Sequence, residues 1–316
     1  MRACLEQWEK EGFSFTLDWL LRTISAVATG LVEFSSLDMI RVTDFKEALE
    51  TAAGCVSHFL DVAAGQLGLD HVRVLMGRYS FPVICRLLHL AGGHFTDAAE
   101  TGRVLYWYIH SALWGRYAGS TETALNQDFG TASRSGIGGL IGSLERWRGG
   151  NLVIDGQDFA GSGRGSRFFP LLNLLSWVHA VRDFGNGLSL SAHLSGQPGA
   201  IQAHHVFPKA VLYVAGYGKS QVNAVANFCF LNRETSLVIG KRAPEEYFGA
   251  IEAMHPGALA SQWIPEDPAL WRVGRYPDSL RSHARRQTGQ IKEAAPAAPR
   301  SEDAAISGSG LSRYGM

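Results

Sequence analysis

Adjacent histidines at 204 and 205 run directly into Val206-Phe207-Pro208-Lys209, and this junction constrains the fold more than any other stretch of the 316 residues. Val206 and Phe207 anchor the segment in a core, and Pro208 ends an extended strand because it cannot continue a ladder. Asn227 lies downstream in Val225-Ala226-Asn227-Phe228-Cys229-Phe230-Leu231, a short apolar run with strand character. A polar-started helix is expected from about Glu234 to Ile239. On an extended segment, successive side chains point to opposite sides. The two imidazoles therefore cannot converge on one atom and are free to take different tasks.

Those tasks suit phosphodiester hydrolysis, where water is a weak nucleophile and charge builds on the leaving oxygen. A metal ion offsets that charge, and a neutral imidazole accepts a proton near pH 7. The pattern is of the HNH type: His204 is the expected metal ligand and His205 the expected general base. Asn227 is expected to brace the segment and orient the base through a backbone carbonyl, and the following helix to offer a second metal ligand. The competing reading is two ordinary histidines and a turn asparagine. Phe207-Pro208-Lys209, the spaced asparagine and the helix together weigh against it.

Elsewhere the chain reads as helical from residue 8 to about 190. Asp44/Glu47 and Asp97/Glu100 have capping-box spacing, each followed by apolar residues at helical intervals: Phe45, Leu49, Ala52, Val56, Phe59 and Ala63, then Val104, Leu105, Tyr108, Ile109, Ala112 and Leu113. A further apolar segment runs from Phe168 to Val181. No period of 20–50 residues appears, so a packed helical domain is expected rather than a repeat array. Gly136–Gly142 and Gly149–Gly165 read as connections, the second long enough to be functional. Neither Gly218-Lys219-Ser220 nor Gly136-Ile137-Gly138-Gly139 completes a nucleotide-binding glycine motif.

Charged residues are 18% of the chain, with 29 basic and 29 acidic side chains, so no overall charge draws it to nucleic acid. Arg272, Arg275, Arg281, Arg285 and Arg286 form one basic patch whose plainer reading is a solvated surface. The four cysteines (Cys4, Cys55, Cys85, Cys229) are scattered and form no Cys-x-x-Cys pair. They read as buried free thiols in a reducing cytoplasm. The N-terminus has no signal-peptide core and no run is long enough to span a bilayer, so no membrane association is expected.

His204-His205-Val206-Phe207-Pro208-Lys209, Asn223-x-x-Ala226-Asn227 and Glu234-Thr235-x-x-x-Ile239-Gly240-Lys241-x-x-Pro244-x-x-Tyr247 resemble one bacterial family. It is the C-terminal nuclease half of GmrSD-type proteins, modification-dependent restriction enzymes of phage defence. Gly115-Arg116-Tyr117-Ala118-Gly119-Ser120-Thr121-Glu122-Thr123-x-Leu125-x-x-Asp128 and Arg182-Asp183-Phe184-x-x-Gly187 resemble its helical region. The resemblance covers roughly residues 10 to 250. It implies a DNA endonuclease acting on DNA, modified DNA included, with Mg2+ or Mn2+. Full-length relatives carry an N-terminal ParB-like nucleotide-hydrolysing domain. Helical-region sequence begins almost at Met1, so a truncated or split member is expected, with that module as a separate subunit. Ile154-Asp155-Gly156-Gln157-Asp158-Phe159 lacks the Gln-Arg ending of that module's motif and is read as chance.

One ligand departs from the family pattern. Where the helix usually presents asparagine after Glu-Thr, this chain has Ser236, a weaker neutral oxygen ligand; Asn232 is a substitute if the helix starts sooner. Magnesium keeps several waters and needs few protein ligands. The expected architecture is mainly α: a helical domain (1–195), a small ββα-metal HNH-like element (196–255), a C-terminal extension (256–286) and a disordered tail (287–316). Two functions remain open: a metal-dependent DNA endonuclease, and a catalytically weakened HNH-derived binding or scaffold module that needs a partner. A zinc hydrolase is disfavoured, since no third ligand stands at a suitable spacing from His204. Arg116, Tyr117 and Asp128 read as structural rather than as readers of modified bases.

Overall fold

The computed structural model describes residues 1–95, 97–190 and 201–294. Among them, eight α-helices precede the first strand: α1 (Arg2–Lys10), α2 (Leu17–Ala28), α3 (Val42–Leu67), α4 (Ser80–Leu90), α5 (Ala98–Leu113), α6 (Thr121–Trp147), α7 (Gly156–Ala160) and α8 (Phe169–Val178). The mainly helical expectation is borne out. α5 starts where its sequence signal lies, with the Asp97 side chain accepting from the Glu100 amide at 2.7 Å. α3 does not. It begins at Val42 behind Arg41, and the Asp44 carboxylate pairs with Arg41 at 2.9 Å within the first turn instead of capping.

Gly136–Gly142 is not a connection, contrary to the sequence reading. It lies inside α6, where Ile137, Leu140, Ile141 and Leu144 keep helical spacing and are buried. The glycine signal marks a kink instead: Gly136 adopts φ 56°, which a side chain would resist. The helices close over an aromatic centre in which Phe15 stacks on Trp19 at 4.0 Å and Phe59 meets Phe81 and Tyr108 edge-on at 5.0 and 5.1 Å. At its margin Arg116 and Asp128 form a buried pair at 2.9 Å, and the Tyr117 hydroxyl donates to the same carboxylate at 2.7 Å. Every partner of this carboxylate is internal. It locks the turn between α5 and α6.

Strand β1 (Ile201–His205) pairs antiparallel with β2 (Phe228–Asn232), Ile201 opposite Asn232 and His205 opposite Phe228. The period-two alternation of β2 places its residues in two different cores. Phe228 and Phe230 pack with the helical domain, while Cys229 and Leu231 pack with Phe184, Val206, Phe207, Ile239, Tyr247 and Phe248. That double burial explains why the strand is apolar throughout and not alternating. Its outer edge is closed by side chains: the Phe230 amide donates to Gln262 Oε1 at 2.8 Å and its carbonyl accepts from Gln262 Nε2 at 2.6 Å.

Beyond β1 come α9 (Lys209–Val214), α10 (Lys219–Val222), α11 (Arg233–Ile239), α12 (Phe248–Met254), α13 (Ala258–Ser261) and α14 (Tyr276–Ala294). The expected onset of disorder at Gln287 is corrected by α14. Gln287 and Thr288 are buried there, and the Thr288 hydroxyl donates to the Ala284 carbonyl at 3.0 Å. The low apolar content of this stretch hid a helix whose inner face is polar and internally bonded. Residues 295–316, and the expected boundary at 195, lie outside the described residues. No helix among those described is long and apolar enough to cross a membrane.

Candidate active site

Of the four expected site residues, His204 and His205 lie on β1, Ser236 on α11, and Asn227 in a turn just ahead of β2. Opposite Cys229, His204 turns toward α11, with its Nδ1 3.1 Å from Ser236 Oγ. Opposite Phe228, His205 turns the other way and lays its ring 4.2 Å from that phenyl ring. Nε2 of each imidazole is buried without a hydrogen-bond partner. In water both atoms would be bonded, so each is a proton or metal acceptor left unused by the fold.

Both imidazoles are held low, at about 4, chiefly by burial. For His205 the positive charge of Lys209 adds to this, and smaller contributions come from His204 and Arg164; a hydrogen bond with Asn223 acts the other way. Both rings are thus neutral at pH 7, the form that can bind a metal or accept a proton. They line an open cavity of about 320 Å³ with Pro208, Lys209, Gly240 and Lys241. Gly240 ends α11 at φ 60°, turning the chain so that Lys241 reaches this rim.

Asn227 is fully internal and serves the backbone. Its Oδ1 accepts from the Phe207 amide at 2.9 Å, and its Nδ2 donates to the carbonyls of Phe207 at 3.1 Å and Val222 at 2.9 Å. It braces the turn immediately after His205 and touches neither histidine ring, so its part is positioning. It also stands in a 3-10 turn, Val225–Asn227, just ahead of β2. Asn227→Ala is expected to strand these backbone groups and lower stability by roughly 1–3 kcal/mol, read as a shifted urea midpoint.

Asn232 is unavailable as a replacement ligand. It caps α11, its Oδ1 accepting from the Thr235 amide at 2.7 Å. Sequence reasoning gave Asp183 no role at the site, although it holds the β2–α11 junction. Its carboxylate accepts from the Asn232 amide at 2.8 Å, the Thr235 hydroxyl at 2.6 Å and the Gly185 amide at 2.9 Å. The Asp-x-Gly turn was visible in the sequence, but its partners lie 49 and 52 residues away.

Loop 149–165 contains α7, whose N-cap Asp155 forms a capping box with Asp158. Its end is pinned to the site: the Val225 amide donates to the Ser162 carbonyl at 2.6 Å and the Arg164 amide to the Asn223 carbonyl at 3.2 Å. Three of the five arginines of the C-terminal patch are ion-paired, two of them to one carboxylate. Arg275 and Arg281 both pair with Asp278, and Arg286 pairs with Glu266 at 3.0 Å.

Among the described residues, no group of three or more His, Cys, Asp or Glu side chains is gathered to hold a metal. The donors present nonetheless suit a hard ion that keeps its waters. His204 Nδ1 and Ser236 Oγ, hydrogen-bonded to each other at 3.1 Å, are the two donors that would hold such an ion.

No protein-family model matches the chain. An uncharacterized protein of Methanocaldococcus jannaschii is 25% identical over 157 residues, 48% of this chain and 25% of the archaeal protein. The chain thus spans about a quarter of the length of that relative.

Proposed function

We propose that the chain is a metal-dependent endonuclease hydrolysing DNA phosphodiester bonds, with an HNH-like ββα element as its catalytic centre. The observation that carries this reading is the pair of neutral imidazoles at successive positions of β1, His204 bonded to Ser236 on α11 and His205 turned to Phe228, both lining one cavity with Lys209 and Lys241. His204 and Ser236 are the residues that would hold Mg2+ or Mn2+. Such an ion supplies charge to offset the developing negative charge on phosphate and leaving oxygen. His205 takes the proton of the attacking water as its oxygen bonds to phosphorus. One P–O ester bond breaks, and the departing oxygen is protonated from solvent.

An imidazole held near 4 is a weak base at neutral pH. A bound phosphate anion stabilises the imidazolium and raises its proton affinity, so the base strengthens when substrate is present. Lys209 and Lys241 on the rim attract the polyanion. Asn227 keeps the turn after His205 fixed while this happens.

The test is cleavage of supercoiled plasmid DNA by the purified chain with Mg2+ or Mn2+, against chelator. Ser236→Asn, which supplies the stronger oxygen donor of the family pattern, is expected to lower the metal concentration for half-maximal cleavage. A chain that cuts no DNA with either metal, even as Ser236→Asn, refutes the endonuclease reading.

The absence of a three-ligand cluster among the described residues favours a second reading, a binding or scaffold module derived from the same element. DNA or partner binding without cleavage is its signature. A ParB-like nucleotide-hydrolysing subunit, modified DNA as target and a role in phage defence belong to the proposal through the GmrSD resemblance alone. Stimulation of cleavage by such a subunit with nucleotide checks the first of these.

A further inference from the structure

We propose that Arg164 is a positioning residue that holds a backbone phosphate of the bound polynucleotide on the His205 side of the sheet, so that the helical domain completes the site. The inference rests on the nuclease reading for its reaction, but its physical basis is separate. Arg164 is exposed, and its guanidinium carbon lies 5.6 Å from the centre of the Phe169 ring and 5.9 Å from that of Phe228. His205 lies against the same Phe228 ring at 4.2 Å. Phe169 and Phe228 meet edge-on at 5.5 Å, which makes one apolar platform from α8 of the helical domain and β2 of the later element. An arginine laid on such a platform keeps its fork of donors free while its stem is ordered.

The backbone is also fixed. The Arg164 amide donates to the Asn223 carbonyl, Gly163 bridges to Ala224, and the Val225 amide donates to Ser162. The segment that presents the arginine therefore also holds Asn223, whose side chain donates to the Lys219 carbonyl at 2.8 Å. Among the described residues no carboxylate pairs with Arg164, unlike Arg275, Arg281 and Arg286 of the C-terminal patch. An exposed guanidinium with no carboxylate partner, over the same Phe228 ring that His205 packs against, matches a phosphate diester: one anion, two free oxygens, bidentate geometry.

The test is binding of a short DNA duplex, followed by fluorescence anisotropy with Ca2+ in place of the catalytic metal, over a series of salt concentrations. Wild type, Arg164→Ala, Arg164→Lys and Arg281→Ala are compared, and thermal melting checks that each folds. Arg164→Ala is expected to bind roughly tenfold or more weakly. Its salt slope is expected to be shallower by about one. Arg164→Lys is expected to restore the slope and only part of the affinity, because an ammonium supplies charge without the fork. Arg281→Ala is expected to match wild type, since Arg281 already pairs with Asp278.

A merely structural Arg164 would change melting and leave the salt slope alone; that result overturns the proposal. So does an Arg164→Ala variant that binds like wild type. Wild type that binds but never cuts with Mg2+ or Mn2+ removes the nuclease reading, while the binding series still decides the role of Arg164. Wild type that fails to bind DNA overturns both.

Discussion

Replacing His205 with Ala is expected to slow DNA cleavage by roughly 10²–10⁴-fold, the range a positioned general base contributes. The fold should survive. His205 lines the cavity, its Nε2 has no hydrogen-bond partner, and its ring packs against Phe228. Losing one half-buried imidazole there is expected to cost about 1 kcal/mol. The phenotype should differ from that of His204→Ala in kind. His204 faces Ser236, so its removal is expected to raise the metal requirement, whereas His205→Ala keeps that requirement and loses turnover at saturating metal. Nicking of supercoiled plasmid across a Mn2+ titration separates the two. A His205→Ala variant that cuts at the wild-type rate removes the base from the mechanism and the nuclease assignment from this site.

Asp128→Ala is expected to lower the stability of the helical domain by roughly 3–5 kcal/mol, because it leaves the Arg116 guanidinium buried without its counter-ion. The side chains of Arg116 and Asp128 are only 6% and 2% exposed, so water cannot take the lost partner's place. The Tyr117 hydroxyl loses its acceptor in the same step. This loss is a large fraction of the ~5–15 kcal/mol that holds an ordinary domain folded. Removing both charges together, as Arg116→Met with Asp128→Leu, is expected to cost much less, since the stranded charge carries most of the penalty. Urea unfolding of the wild type and the two variants measures the difference. A small effect in Asp128→Ala would show that Arg116 finds another partner, and Gln127, which already accepts from it at 3.1 Å, is the nearest.

The placing of the two proposed histidines was legible because they are neighbours in sequence and obey a short period. Alternation along an extended segment forces His204 and His205 to opposite faces whatever surrounds them. Pro208 had to end the strand, and the helix expected from Glu234 was found as α11 from Arg233. The failures share a physical cause as well. Gly136 reads as a breaker and does kink α6 at φ 56°, but helix resumes at once through Gly138, Gly139 and Gly142 because Ile137, Leu140, Ile141 and Leu144 are buried, and that burial outweighs a local cost of about 1 kcal/mol per glycine. The polar face of α14 reads as unable to order itself because its partners, Gln262 and the carbonyls of its own preceding turn, form a network that composition does not reveal.

Sequence by itself thus determined which groups stand side by side on β1 and which helix follows them. Those relations depend on bond geometry over a few residues. Only the tertiary structure decided what surrounds them: Asp183 locking the β2–α11 junction, Gln262 closing the strand edge, and Arg164 arriving beside His205 from a loop that pairs with Asn223. Those contacts close chain separations of some tens of residues. Their selection lies in the packing of two cores on the two faces of a single strand, a collective energy that no short window of sequence contains.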